Sequence, residues 1–370
     1  MRILQLTKYY PPFMGGIEAV TYDLTEGLNR AGIPCDVLCS NDTSKSVVDV
    51  VHGYTVHRAA MLTELFSTAI SPVLITKLAA EMNKYDIIHV HFPDPLAAAA
   101  LLLTRPKAKL VVHWHSDIVK QKLLLKAYRP LQNWVLRRAA AIIGTSEKYI
   151  EESDELTPFR HKTRCVPIGT DGPEVQSDAA FSEALKAQYK GHKVVFALGR
   201  LVYYKGFEYL IEAARHLGED VKVIIGGNGP LKEELQAQIR TLKLEDKVVL
   251  AGRIDDKQLR SYFELCDVFC FPSVERSEAF GLVQLEAMMC GKPIVATNIP
   301  RSGVSWVNKE GVSGYNVAIK DAAALAEKIN YILADEARYQ QLSQKARERY
   351  ETLFTADKMV QSVIKIYQGL

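Results

Sequence analysis

VFCFPSVERSEAFGLVQLEAMMCGKPIVA, residues 268–296, reads as strand, loop, helix and strand without interruption. Val268 to Phe271 is a short continuous apolar run, Pro272 to Ser277 is loop-forming, and Leu282 to Met289 is an apolar helix stopped by Gly291 and Pro293. Ile294 to Ala296 then resumes as a strand, and this alternation argues for a parallel sheet covered by helices. Two carboxylates are placed by it. Glu278 lies on the loop at the carboxyl edge of the first strand, and Glu286 lies about a turn and a half into the helix. Gly281 allows a ligand close to the free N–H groups at the helix start, near Leu282 and Val283. An anion with hydroxyls on both sides suits that geometry; a capped helix with two solvated glutamates accounts for the same residues.

Outward from this stretch the same alternation recurs twice. The first series has apolar runs at Ile3 to Leu6, Val37 to Cys39, Ile87 to Val90, Leu110 to Trp114, Ala141 to Gly144 and Val166 to Ile168. A second begins at Lys193, with Val194 to Leu198, Val221 to Ile225 and Val248 to Leu250 preceding the quoted stretch. Between them a polar segment with two glycines and a proline marks a domain boundary near Gly172 to Lys190. The fold class is therefore α/β with two doubly wound domains, and 370 residues suffice for two such cores.

Bulk properties exclude several functions. A net charge of +3 gives no support for nucleic-acid binding, and six cysteines without a CxxC pair read as reduced core residues of a cytoplasmic protein. The apolar run Pro95 to Leu103 is far shorter than the roughly 20 residues needed to span a bilayer.

Several loops fall on the carboxyl edges of the strands, where doubly wound sheets bind ligands. Gly15 and Gly16 precede a helix carrying Val20, Leu24 and Leu28, although a tight turn explains the same glycines. His113 and His115 alternate on one face, and His115 reaches the edge first. Clustered metal ligands and an Asp-x-Asp pair are missing from the sequence, so no metal is expected. Arg200 and Lys205 flank a loop just before a helix, and two cations there suit a diphosphate, with solvated surface charge as the bland reading. The loops at GGNGPL and AGRIDD, which include Gly252, Arg253 and Ile254, would suit a nucleotide's base and ribose.

Lys120 to Arg138 carries six basic residues and no acidic one. Leu124, Tyr128, Leu131 and Val135 could form an apolar stripe beside the cations Lys120, Lys122, Lys126 and Arg129, a surface suited to anionic headgroups or to ordinary core packing. Pro130 argues against one uninterrupted helix. Near the C-terminus, Met359, Val360, Val363, Ile364 and Tyr367 form an apolar face after an N-cap at Thr355, and that face needs a surface to cover it.

With GGIE, HSD, GRLVYYKG, GGNGPL, AGR and the E(x7)E of Glu278 and Glu286 in this order, essentially the whole chain resembles the retaining glycosyltransferases of family 4. More narrowly, WHSDIVKQK looks like the mannosyl- and rhamnosyltransferases of bacterial surface-polysaccharide synthesis. The resemblance implies a GT-B fold, two Rossmann-like domains facing across a cleft. It implies an acceptor domain at 1–172 joined by a C-terminal helix at about 355–370, a donor domain at 190–350, and a linker at 173–189. It implies that Glu278 holds donor-sugar hydroxyls, Glu286 the ribose, and Arg200 and Lys205 the diphosphate, with N–H groups near Gly16, Gly281 and Leu282 assisting. His115 would contact the donor sugar, and Gly252 to Ile254 would lie beside the base.

Neither a metal nor a cofactor is implied; the nucleotide sugar is a substrate. The expected reaction is hexose transfer, mannose from GDP-mannose, to a lipid-linked saccharide at the inner face of the membrane. A UDP-sugar enzyme, a sugar-nucleotide epimerase and a silent glycan-binding protein are the alternatives. Two departures from the family pattern are Ile168 in the PIGTD turn and Trp306 where a glutamate is customary.

Overall fold

The computed structural model describes residues 1–13, 15–65, 68–118, 122–172 and 178–370. Lys120 and positions 173–177 of the expected linker lie outside the described residues. The chain forms two compact units, Met1–Thr170 with Thr355–Leu370, and Asp171–Phe354.

In the first unit the strands are β1 (Ile3–Leu6), β2 (Cys35–Ser40), β3 (Val47–Val51), β4 (Tyr54–Ala59), the hairpin pair β5 (Thr63–Leu65) and β6 (Thr68–Ile70), β7 (Ile87–Phe92), β8 (Lys109–Trp114), β9 (Ala141–Gly144) and β10 (Thr163–Cys165). Eight of them build one sheet in the order β10-β9-β8-β7-β1-β2-β4-β3. All neighbours are parallel except β3 against β4. Buried on both faces, β1, β2, β7 and β9 are mainly apolar, as parallel strands require, with Gln5, Asp36, His89 and His91 as buried polar exceptions. The β3–β4 hairpin was not expected from the sequence. His52 (φ 46°) and Gly53 (φ 96°) make its tight turn, and the exposed edge strand VVDVV lacks the burial that marks its neighbours.

Two sequence expectations are corrected in this unit. The last strand is Thr163–Cys165 rather than Val166 to Ile168, because Pro167 has no N–H to give a ladder. The basic helix runs unbroken from Lys122 to Arg138 through Pro130. Burial of Gln132, Val135 and Leu136 supplies the packing that offsets the hydrogen bond lost at the proline.

Helix Gly16–Arg30 buries Val20, Leu24 and Leu28. Helix Ala356–Gln368, capped by the Thr355 hydroxyl accepting from the Lys358 N–H, buries Met359, Val360 and Val363 and packs against it, with Val360 facing Gly27. Their approach is close enough that a Cβ on Gly27 would stand 2.3 Å from Val360 Cγ2.

The second unit contains β11 (Lys193–Leu198), β12 (Val221–Gly226), β13 (Val248–Gly252), β14 (Val268–Phe271), β15 (Ile294–Thr297) and β16 (Gly314–Val317), all parallel, in the order β13-β12-β11-β14-β15-β16. Its order reverses between β11 and β14, the crevice where such sheets take ligands.

A third correction concerns the linker. Positions 179–188 are a helix, Ala179–Gln188, in the second unit. Leu185 is buried and the Ser182 and Ser261 hydroxyls lie 2.6 Å apart, so a stretch that is polar in composition still has a packed face. No helix among the described residues is long and apolar enough to cross a membrane.

Candidate active site

The second unit brings two of its predicted charges, Lys205 and Glu278, together at the switch point. Lys205 ends a short turn, Tyr203–Lys205, after β11, and Glu278 lies on the loop after β14. The Val274 N–H donates to the Tyr204 carbonyl at 2.8 Å, and the Tyr203 hydroxyl donates to Glu275 at 2.7 Å. Gly206 completes this join at φ 67°, with its α-carbon so near the Pro272 carbonyl that a Cβ would stand 2.1 Å from that oxygen. Lys205 Nζ thereby reaches Glu278, with the Phe271 ring 5.2 Å beneath the ammonium. Arg200, on the same loop, is exposed.

Beyond Glu278 the chain turns at Gly281 (φ 78°) into helix Val283–Met289. A Cβ at Gly281 would stand 2.9 Å from the Phe271 ring, so the bare backbone is what allows the turn. The N–H groups of Gln284 and Leu285 are taken by the carbonyls of Gly281 and Leu282. Those of Leu282 and Val283 come before them at the helix start. The Ser302 hydroxyl donates to the Glu278 carbonyl at 2.5 Å and fixes the loop from the other side.

Glu286 lines a cavity of about 20 Å³ with Asp171, Leu259, Arg260, Phe263, Met289 and Cys290. Burial, with a smaller contribution from Asp256, pushes its carboxyl up to about 8. It is thus held in the acid form at neutral pH, at the position the sequence reading assigned to the ribose.

Of three neighbouring strands in this sheet, β12 and β13 end in glycine and β11 is followed by Gly199, and their loops are tied together. Gly199 N–H donates to Gly226 at 3.1 Å, and Gly227 N–H donates to Gly252 at 2.7 Å. Gly252 is left-handed (φ 72°), Arg253 is exposed, and Ile254 covers Gly226.

In the first unit, Gly15 is the N-cap of helix Gly16–Arg30, and Glu18 folds back so that a Cβ on Gly15 would stand 2.5 Å from its carboxylate. Gly16 is open. His115 follows β8 and is buried; its ring stacks on His113 with centroids 4.4 Å apart, as alternation along the strand predicted. The sequence reading missed the rest of this group. His89 and His91 on β7 and Gln5 on β1 are fully or almost fully buried beside them. The signal was present: H-x-H occurs on two strands that pair His91 with His113.

Nitrogens of His89, His91 and His113 lie within 4.8 Å of one another, close enough for a metal. The rings are instead engaged with each other and with neighbours: His89 Nδ1 with the Tyr367 hydroxyl, His89 Nε2 with His113 Nδ1 at 3.3 Å, and His91 with His115 and Gln5 at 2.9 Å each. Burial drives all four histidines below their ordinary range, His113 to about 3, so the column is neutral.

Comparison with known proteins decides what these two units are. A family model for glycosyltransferase family 4 matches residues 14–171, and one for glycosyl transferases group 1 matches 180–349. An O-antigen chain mannosyltransferase of Escherichia coli is 34% identical over 100% of this chain and 99% of its own length. The chain belongs to glycosyltransferase family 4. A D-rhamnosyltransferase of Pseudomonas aeruginosa is also 34% identical to this glycosyltransferase, covering 96% of this chain and 93% of its own.

Solved structures agree in fold. An Anabaena protein in complex with UDP-glucose superposes with a TM-score of 0.79 at 23% identity over 100% of both chains. A sucrose-phosphate synthase of Thermosynechococcus elongatus gives 0.79 at 21%, over 100% of this chain and 99% of its own. The fold is GT-B, with two Rossmann-like domains, and the expectation of a hexosyltransferase stands with the family.

Of the two departures from the family pattern, Trp306 has a packing role: its ring lies 6.0 Å edge-on to Phe354, and Arg349 donates to its carbonyl at 2.7 Å. Among the cations of the basic helix, Lys126 is exposed, whereas Arg129 is paired with Glu155 at 2.6 Å. The side chain of Lys122 lies outside what the structure describes.

Proposed function

We propose that this glycosyltransferase takes mannose from GDP-mannose and adds it to a lipid-linked saccharide in surface-polysaccharide synthesis. The observation that carries this reading is the Lys205–Glu278 pair, a cation and a carboxylate held side by side at the switch point of the second unit. Mannosyl and rhamnosyl transfer are the activities named for the two relatives at 34% identity.

Breaking the anomeric bond builds negative charge on the departing nucleoside diphosphate. Lys205 and Arg200, with the N–H groups of Leu282 and Val283, stabilise that charge by preorganised dipoles and cations, without a metal. Glu278 accepts hydrogen bonds from the sugar, Glu286 engages the ribose, and Gly252 to Ile254 lie along the base. Gly16 leaves the start of the first unit's first helix open to a ligand, with Gly15 as its N-cap under Glu18.

The protein works at the inner face of the membrane, with Lys126 and its helix toward anionic headgroups. Its sedimentation with anionic vesicles should fall on reversing the charge of Lys126; unchanged sedimentation overturns the membrane contact alone.

A donor panel tests the central reading. Purified protein is incubated with GDP- and UDP-sugars and lipid-linked acceptors. Transfer from GDP-mannose is expected; transfer from UDP-sugars alone reassigns the donor, isomerised donor without transfer indicates an epimerase, and no binding of any nucleotide overturns the proposal.

A further inference from the structure

The buried histidines of the first unit form a directed chain of hydrogen bonds that ends on His115. Gln5 is fully buried on β1 and presents its carbonyl oxygen, Oε1, to His91 Nε2 at 2.9 Å. A carbonyl oxygen only accepts, so His91 Nε2 carries the proton. His91 is neutral, because burial and the neighbouring rings hold it well below its ordinary range. Its Nδ1 is therefore a bare lone pair, and it lies 2.9 Å from His115 Nε2. That nitrogen must donate. His115 is neutral for the same reason as His91, so its remaining nitrogen, Nδ1, has no proton.

The direction follows from which end of the Gln5 amide faces His91. Its amide nitrogen is buried beside Tyr367 and Cys35 without a well-formed hydrogen bond. The Tyr367 hydroxyl on the last helix is 2.5 Å from His89 Nδ1, and His89 Nε2 continues to His113. Presenting the amide nitrogen to His91 instead would reverse every proton in the chain and turn His115 Nδ1 into a donor. Which nitrogen bears each proton is thus a consequence of the Gln5 orientation.

We propose that Gln5 and His91 are positioning residues that hold His115 in the tautomer with Nε2 protonated, so that His115 Nδ1 accepts a hydrogen bond from a hydroxyl of the saccharide bound at the carboxyl edge of the first unit's sheet. This rests on the reading of His115 as a substrate-contacting residue. A neutral acceptor at that place selects hydroxyl-bearing substrate groups and disfavours an acceptor-only group such as a carboxylate or phosphate oxygen.

The test uses full-length protein labelled with nitrogen-15 in histidine. Long-range proton–nitrogen correlation spectra distinguish the tautomers, and the signal lost in His115→Asn assigns the residue. The expected wild-type spectrum shows His115 with Nε2 protonated and Nδ1 bare; the opposite tautomer overturns the proposal. His91→Asn keeps an oxygen near the position of Nδ1 and should preserve both the His115 signal and turnover. His91→Leu and Gln5→Met should leave His115 as a tautomer mixture and lower kcat/KM by about tenfold, the effect of one misplaced hydrogen bond. Equal losses in His91→Asn and His91→Leu, with unchanged His115 signals, would also overturn it. Full turnover in His115→Asn refutes the substrate contact and leaves the tautomer result standing, so the two failures are distinguishable.

Discussion

Lys205 Nζ lies 2.5 Å from Glu278 Oε2, and the two side chains are only 13% and 15% exposed. The pair joins the end of β11 to the end of β14, strands far apart in sequence and adjacent in the sheet. In the proposed mechanism the cation serves the diphosphate and the carboxylate serves the sugar, so each side chain also holds the other in place. Lys205→Met should lower turnover by about 10²–10³. It should also destabilise the second unit by about 1.5–3 kcal/mol, since the remaining carboxylate loses a charged partner. Steady-state kinetics with urea unfolding read both effects, and near-normal turnover would refute the diphosphate role.

Gly206→Ala tests the scaffold under that pair. At φ 67° and with the Pro272 carbonyl in the way, an added methyl group forces the turn away from the loop after β14. A stability loss of more than about 1 kcal/mol is expected, together with a drop in turnover, because Lys205 moves with the turn. Thermal unfolding and kinetics matching wild type would show that the close approach has no functional weight.

Glu286 gives a pH dependence of defined sign. Its carboxyl is raised from 4.5 to about 8 by burial and by Asp256, so the folded protein keeps a proton that the unfolded chain releases. The contribution to stability is present below pH 4.5 and is lost as pH rises through about 8. Ribose hydroxyls donate best to the ionised form, so nucleotide binding should tighten between about pH 7 and about pH 9. Isothermal titration across that range should show the slope in wild type and a flat response in Glu286→Gln.

The histidine column has the opposite sign. His89, His91, His113 and His115 are depressed below 6.5, so the unfolded chain takes up protons that the folded one does not. Stability is complete above about pH 6.5 and declines below it, by up to about 1.4 kcal/mol per pH unit for each histidine. Urea midpoints measured between about pH 5 and about pH 7.5 should fall toward the acid side, with a shallower fall in His113→Phe. A midpoint that does not change over this range would contradict the buried neutral column.

Much of the fold was legible because its strands are contiguous apolar runs bounded by glycine and proline. β1, β9 and β14 match the sequence reading residue for residue. The exposed strand β3 and short β16 carry little hydrophobic signal, and helix Ala179–Gln188 has a face too narrow to stand out from its polar composition. Of the candidate site, residue types at the carboxyl edges could be read, since strand periodicity places them there. Their partners could not, because partnership depends on which strands become neighbours.

The sequence by itself determined that this chain has two parallel α/β units, that Glu278 and Glu286 flank a glycine turn, and that Arg200 and Lys205 follow a strand. These are properties of local periodicity and turn chemistry. Only the tertiary structure decided that Lys205 meets Glu278, that Glu286 is pushed toward its acid form, and that Gln5 sets the direction of a histidine chain ending on His115. Each depends on strand order, because a sheet places side by side residues that the chain keeps dozens of positions apart, and burial between them then sets where the protons lie.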